Sequence, residues 1–182
     1  IIEFVARRIS DRDLWNFVYP ETRSIYEMLI SFIDYHKKNA PLDIVQFFDG
    51  ASEGGRLLES QLYIEANARV EMRLQFAKEY AAKAKVIDFE GKKAALVNVP
   101  SNFSSEVGDI LGKDHDFAIM YVVGGNDYVA YSLRSNKETG ANVEVIAKQH
   151  FNGGGHINAA GGLGTLETLR KLYSMQVLEN KQ

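Results

Sequence analysis

The chain has 182 residues, 46% of them hydrophobic, enough to bury one good core or two small ones. A formal net charge of −3 and a pI near 5.8 leave no evident basic stripe of the kind that coats long nucleic acids, and favour a short phosphate-bearing ligand over a duplex. Cysteine is absent, which removes disulfides and thiolate metal sites and is compatible with a cytoplasmic home.

No apolar run reaches the length of a membrane span, so no membrane partner is expected. The opening Ile1-Ile2-Glu3-Phe4-Val5-Ala6-Arg7-Arg8 places its positive charges after the apolar stretch, the reverse of a secretory signal. It enters in mid-pattern, without Met, and reads as cut from something longer.

Residues 1–50 read as helical. Ile25, Met28, Leu29, Phe32 and Tyr35 mark one apolar face at helical spacing, and Pro41 and Gly50 bracket a short further helix. From Glu53 to about Lys85, Leu58, Leu62, Ala66, Val70, Leu74, Ala77, Ala81 and Ala84 recur in steps of three or four. A helix of roughly 30 residues would span about 45 Å, too long for one small core. It is either a connector between two lobes or a dimerising coiled-coil arm with few leucines for a zipper, which would make the chain a homodimer.

After Lys85 the period changes. Val86 to Phe89, a turn at Glu90-Gly91, and Lys93 to Val99 predict a hairpin. Ser104 is a candidate N-cap for a helix carrying Val107, Ile110 and Leu111, with Gly112 as its stop. Phe117 to Val123 predicts a central strand, and Gly124-Gly125-Asn126-Asp127 turns it into Tyr128 to Arg134, where Val129, Tyr131 and Leu133 alternate with Tyr128, Ala130 and Ser132. Asn142 can cap a helix from Val143 to Gln149, and Thr165 starts a last amphipathic helix through Leu166, Leu169, Leu172 and Tyr173. The expected fold class is α/β, a mixed sheet with flanking helices over residues 86–182. A helical segment (1–52) and a long connector helix (53–85) precede it.

Between the last two helices lies Phe151-Asn152-Gly153-Gly154-Gly155-His156-Ile157-Asn158-Ala159-Ala160-Gly161-Gly162. Three consecutive glycines let several N–H groups converge on one point. If the turn opens a helix through the small residues that follow, it is an anion site, and phosphate is the simplest ligand. A tight packing turn with an incidental histidine is the plain alternative. Ser132-Leu133-Arg134-Ser135 sets an arginine between two hydroxyls at a strand end, a good phosphate fork, and Asn102 to Gly108 offers another helix N-terminus. Phosphate-binding NTPase loops, Gly-x-Ser-x-Gly and paired metal-binding histidines at helical spacing are all missing.

Together, Val-Asn-Val-Pro at 97–100, Ser105-Glu106-Val107-Gly108, Ser132-Leu133-Arg134-Ser135 and Gly153-Gly154-Gly155-His156 followed by Ala159-Ala160-Gly161 resemble the DHH-associated C-terminal domain, over roughly residues 86–164. In the DHH phosphoesterase superfamily this domain holds the substrate. The superfamily includes oligoribonucleases, cyclic-dinucleotide phosphodiesterases, exopolyphosphatases and single-strand exonucleases. The resemblance implies a short oligonucleotide, a cyclic dinucleotide or another phosphoester as ligand. Arg134 would grip a phosphate oxygen, His156 and the amides of Gly153, Gly154 and Gly155 would hold a phosphate, and Asn98 and Ser105 would line the pocket. A related domain in alanyl-tRNA synthetases implies an alternative, a stand-alone nucleic-acid-binding module in which Tyr128 or Tyr131 stacks bases.

Upstream, Ser10-Asp11-Arg12-Asp13-Leu14-Trp15-Asn16-Phe17, with Pro20 after it, is similar to the tail of the catalytic DHH domain. There an aspartate helps bind manganese, or magnesium in its place, hard cations that prefer oxygen ligands. Asp13 matches the aspartate-x-x-x-Phe ending better than Asp11. Otherwise both are surface acids paired with Arg7, Arg8 and Arg12. The Asp-His-His signature does not occur in this sequence, and His36, His115 and His150 do not replace it. Two-metal hydrolysis needs a clamp of several carboxylates and imidazoles. The expectation is therefore a substrate-binding part that lacks its N-terminal catalytic domain, hydrolyses nothing alone and holds no metal tightly by itself.

Overall fold

Residues 117–123 and 128–134 are rich in β-branched and aromatic side chains and residues 154–165 in glycine and alanine, and the computed structural model assembles these and the strands before them into one six-stranded mixed sheet, the fold class expected. It describes residues 2–39, 60–138 and 140–178, with no side-chain detail at 2 and 35–39. The chain divides into two compact units, Ile1–Arg73 and Leu74–Gln182.

In the first unit, α1 (Ile2–Asp13) and α2 (Thr22–Asn39) join the start of α3 (Gln61–Ala81). Val5, Ile25, Met28 and Ala66 form its buried centre, with Phe4, Ile9, Leu29, Phe32 and Tyr63 against them. Ser24 Oγ donates to Asn67 Oδ1 at 2.8 Å. The helix expected between Pro41 and Gly50, and the part of the long helix before residue 60, lie outside the described residues. Two details differ from the sequence reading. Helix α3 ends at Ala81, because Lys85 already belongs to a strand, and Leu62 is exposed rather than on the packed stripe.

In the second unit, β1 (Lys85–Phe89) and β2 (Lys92–Asn98) form the expected hairpin, with Glu90 and Gly91 both at positive φ in its turn. A short 3₁₀ turn, Ser101–Phe103, leads into α4 (Ser104–Leu111) and then β3 (Phe117–Val123), which lies parallel to β2. β4 (Tyr128–Arg134) follows antiparallel, then α5 (Val143–His150), β5 (Gly154–His156), β6 (Ala159–Thr165) and α6 (Leu166–Ser174). The order across the sheet is β1-β2-β3-β4-β6-β5.

One face carries Leu96, Ile119, Tyr131, Leu133 and Ala160 beneath α5 and α6; the other carries Ala95, Val97, Ala118 and Met120 beneath α4 and the end of α3. Tyr131 is buried and Tyr128 is 48% exposed, so of the two only Tyr128 could stack on a ligand base. Asn142 caps α5 as expected, accepting from Glu144 N and Val145 N, and at the start of α6 Thr165 and Thr168 close a reciprocal cap.

Two local expectations are corrected. Ser104 is not the N-cap of α4: the 3₁₀ turn draws it into the first helical turn, Phe103 takes the cap position, and the buried Ser104 Oγ has no hydrogen-bond partner. The glycine run does not open a helix either. Gly154–His156 and Ala159–Thr165 are two strands of a hairpin, because glycine here permits backbone to lie on backbone. A Cβ at Gly153 would run into the Gly161 carbonyl, and one at Gly162 into the Phe151 carbonyl. No helix dipole therefore points at an anion from this segment.

Candidate functional site

Sheet register decides which of the candidate residues can cooperate. Arg134 pairs with Ala159 across β4–β6, and Ala159 pairs with His156 across β6–β5, so the three stand in one row. Two strand spacings separate Arg134 from His156 at the backbone, about 10 Å. By the same alternation Arg134 belongs to the face of Ala118, beneath α4, while Leu133 and Ala160 face the opposite core.

The Arg134 stem lies directly against Gly108 of α4, where any Cβ would overlap the arginine's Cβ and Cγ. Its guanidinium finds neutral acceptors: Nη1 donates to Leu133 O at 2.9 Å and to Ala160 O at 3.5 Å, and Nη2 to Ser105 Oγ at 3.5 Å. Burial lowers the Arg134 pKa from its usual value, and the negative charge of Glu106 opposes that shift. Ser105 and Glu106 sit in the first turn of α4, so the positive end of that helix faces the same guanidinium.

The hairpin tip is fastened on both sides. Asn158 Nδ2 donates to Ser135 Oγ at 3.0 Å and to Asn136 O at 2.8 Å, and Asn158 O accepts from Ser135 N at 3.1 Å. Ile157 O accepts from Val143 N at the start of α5, at 2.9 Å. His156, exposed between these anchors, is held without being buried. Lys148 binds Glu144 at 2.6 Å and, with a smaller contribution from His156, keeps the Glu144 carboxyl below its usual pKa.

Arg134, Ser105 and the Gly153–His156 hairpin thus belong to one end of the sheet. Asn98 does not join them. Its alternation in β2 puts it on the face of Leu96 and Tyr121, and its Nδ2 donates to Tyr121 O at 3.1 Å. Sequence reasoning passed over Asn158, which ties the hairpin to the residues after Arg134, although an Asn between the histidine and two alanines is a readable turn signal. It also quoted Gly108 without seeing that the arginine needs the space.

In the first unit Asp13 is exposed, 3.5 Å from Arg12. Asp11 is buried, and its carboxylate accepts from Val18 N at 3.0 Å, Tyr19 N at 3.3 Å and Thr22 Oγ1 at 2.6 Å. Burial by itself would raise the Asp11 pKa; those hydrogen bonds and the charge of Arg8 outweigh it and hold the group below the usual carboxylate value. Among the described residues no three or more His, Asp or Glu side chains gather as a metal site. Asp13 can offer one ligand to manganese or magnesium, Asp11 is engaged elsewhere, and the described residues alone do not fit either ion.

No protein-family model matches this chain, and neither does any curated protein. Among solved structures it is similar to an exopolyphosphatase-related protein from Bacteroides fragilis, 26% identical, with a TM-score of 0.43 over 56% of this chain and 32% of that one. It is also similar to a pGpG-specific phosphodiesterase from Vibrio cholerae, 15% identical, with a TM-score of 0.49 over 87% of this chain and 50% of that one. An uncharacterized protein from Helicobacter pylori is 23% identical, with a TM-score of 0.38 over 79% of this chain and 40% of that one. The chain spans half the length or less of each of these structures. Among the described residues no helix is long and apolar enough to cross a membrane.

Proposed function

We propose that residues 86–182 hold the substrate of a DHH-type, metal-dependent phosphoesterase, with a short oligonucleotide, a cyclic dinucleotide or a related phosphoester as ligand. One observation carries the reading: Arg134 is seated on Gly108, satisfied by neutral acceptors, and stands in register with His156. A guanidinium whose hydrogen bonds go to carbonyls and a hydroxyl keeps its charge for an incoming anion.

In this reading Arg134 takes one phosphate oxygen and Ser105 donates beside it, at the positive end of α4. His156 approaches from the hairpin side, and the amides of Gly154 and Gly155 contribute where the edge strand leaves them unpaired; the Gly153 N–H, expected to join them, already donates to Ala147 O at 3.1 Å. The part played by these residues is to bind and orient the ester and to offset charge on its phosphate.

Calorimetric titration of the 182-residue chain with a dinucleotide tests it. Binding that weakens in both Arg134→Ala and His156→Ala is expected, with no hydrolysis on adding manganese. Unchanged affinity in both variants removes the site. Phosphodiester turnover by this chain alone would contradict its reading as a substrate-holding part. Equal affinity for tRNA and for a dinucleotide, with the same dependence on Arg134, would favour the nucleic-acid-binding module instead.

A further inference from the structure

Asn152-Gly153 is the single Asn-Gly pair in the chain. A glycine after asparagine sets no Cβ in the way of the neighbouring carboxamide and turns freely about its own bonds. Its main-chain nitrogen can therefore attack the asparagine Cγ and close a five-membered ring. Other asparagines of the second unit have their carboxamides engaged. Asn142 caps α5, Asn158 Nδ2 donates to Ser135 Oγ and Asn136 O, and Asn98 Nδ2 donates to Tyr121 O. The Asn152 side chain is exposed, and among the described residues no such bond holds it.

The backbone opposes the reaction in the closed fold. Asn152 follows the end of α5 with φ of 48°, in the left-handed region. In that well its Cβ and the next nitrogen stand nearly anti about the Cα–C bond, which carries Cγ away from Gly153 N. The Gly153 N–H also donates to Ala147 O at 3.1 Å, back inside α5. That proton must leave before the nitrogen can attack. The flanks are pinned as well. Phe151 is buried with its ring 4.5 Å from that of Tyr131, and Gly153 lies so close to the Gly161 carbonyl that no Cβ fits between them.

We propose that Asn152 is a deamidation site that the closed hairpin shuts and local opening of the turn between α5 and β5 exposes. Once the turn opens, Gly153 N gives its proton to hydroxide and bonds to Asn152 Cγ, whose C–N bond breaks and releases ammonia. Water then opens the succinimide at either carbonyl and leaves aspartate or isoaspartate. Both products add a negative charge. Isoaspartate also lengthens the main chain by one carbon where Gly153 and Gly161 already lie backbone on backbone. The closed hairpin has no room for it, so a chain that reacts this way stays open. The reaction does not depend on the phosphoester reading of the second unit.

The test incubates the full chain at mildly alkaline pH, once in buffer and once in guanidinium chloride, with a free Asn-Gly peptide in each to correct for solvent. Peptide mapping with isoaspartate detection locates the product. Asn152 should convert at least about tenfold more slowly in buffer than in denaturant, because reaction waits on a local opening. Hydrogen exchange at the Gly153 amide should be slowed by the same factor to within about threefold, since one opening frees both. Equal conversion rates in the two solutions would overturn the proposal. Slow conversion beside a freely exchanging Gly153 amide would do so too. A third contrary result is an isoaspartate form, returned from denaturant, that regains the same Gly153 protection as unreacted chain carried through the same steps.

Discussion

Arginines in the two units are treated in opposite ways. In the first, Arg8 is neutralised where it stands: its Nε donates to Glu21 at 2.8 Å, and its guanidinium lies 3.7 Å from the Phe4 ring centroid and 4.2 Å from that of Tyr19. In the second, Arg134 is partly buried against a glycine and donates to two carbonyls and a hydroxyl. The first arrangement spends a cation on the fold, and the second, on the function proposed above, leaves one for a ligand. Burial of a charge without a bonded carboxylate costs stability, and proteins keep such groups where they bind something.

The strongest way to break this comparison is to disturb what seats the Arg134 row. Gly153→Ala would drive a Cβ into the Gly161 backbone and should destabilise the second unit by about 3 kcal/mol, the upper end for one substitution. Near-ultraviolet tyrosine signals would show it in a urea titration while Trp15 fluorescence, from the first unit, stays put. A change below 0.5 kcal/mol would mean that the hairpin does not pack as described.

Next comes the arginine itself. Arg134→Ala should weaken dinucleotide binding by about 1.5–3 kcal/mol, the loss of a charge-assisted contact. Gly108→Ala should weaken it in the same direction, because the added methyl displaces the stem it cannot share space with. If Gly108→Ala binds as well as the unaltered chain, the glycine is not there for the arginine.

The fold was legible wherever a local signal was also the global one. The turn at Glu90-Gly91, the alternation of Val129, Tyr131 and Leu133, the cap at Asn142 and the helix start at Thr165 each report on neighbours a few residues away, and the structure matches each. The glycine run was misread because its reason is non-local. Nothing near Gly153 in sequence says that Gly161 lies on it, so a close-approach hairpin and an anion-binding turn share one composition. Asn98 was grouped with Arg134 by motif order, whereas strand parity places it on the other face. Register is what sequence order cannot supply.

The two units should also differ in their response to pH. The Asp11 and Glu21 carboxyls are held below their usual pKa, so they take up protons more readily when unfolded. Their stabilisation is complete above the ordinary carboxylate range, about pH 4.5, and is lost as pH falls below it. The second unit carries the reverse case. Burial pushes the Tyr131 phenol up to about 12, so unfolding favours ionisation as pH rises above about 10, and stability falls there. Thermal melts followed by Trp15 emission at low pH and by tyrosine absorbance at high pH check both limbs. The smallest expected effect belongs to Asn98→Ala, which should change dinucleotide affinity less than twofold. A tenfold loss would bring Asn98 back into the site despite its face.

The central claim is that Arg134 and His156 hold one phosphate between them, and a double-mutant cycle on dinucleotide binding tests it most directly. Residues sharing a ligand group should be coupled by at least about 0.5 kcal/mol, so that the double variant loses less than the two single losses added together. Single effects that add to within about 0.3 kcal/mol would place the two side chains on separate parts of the ligand and contradict the account.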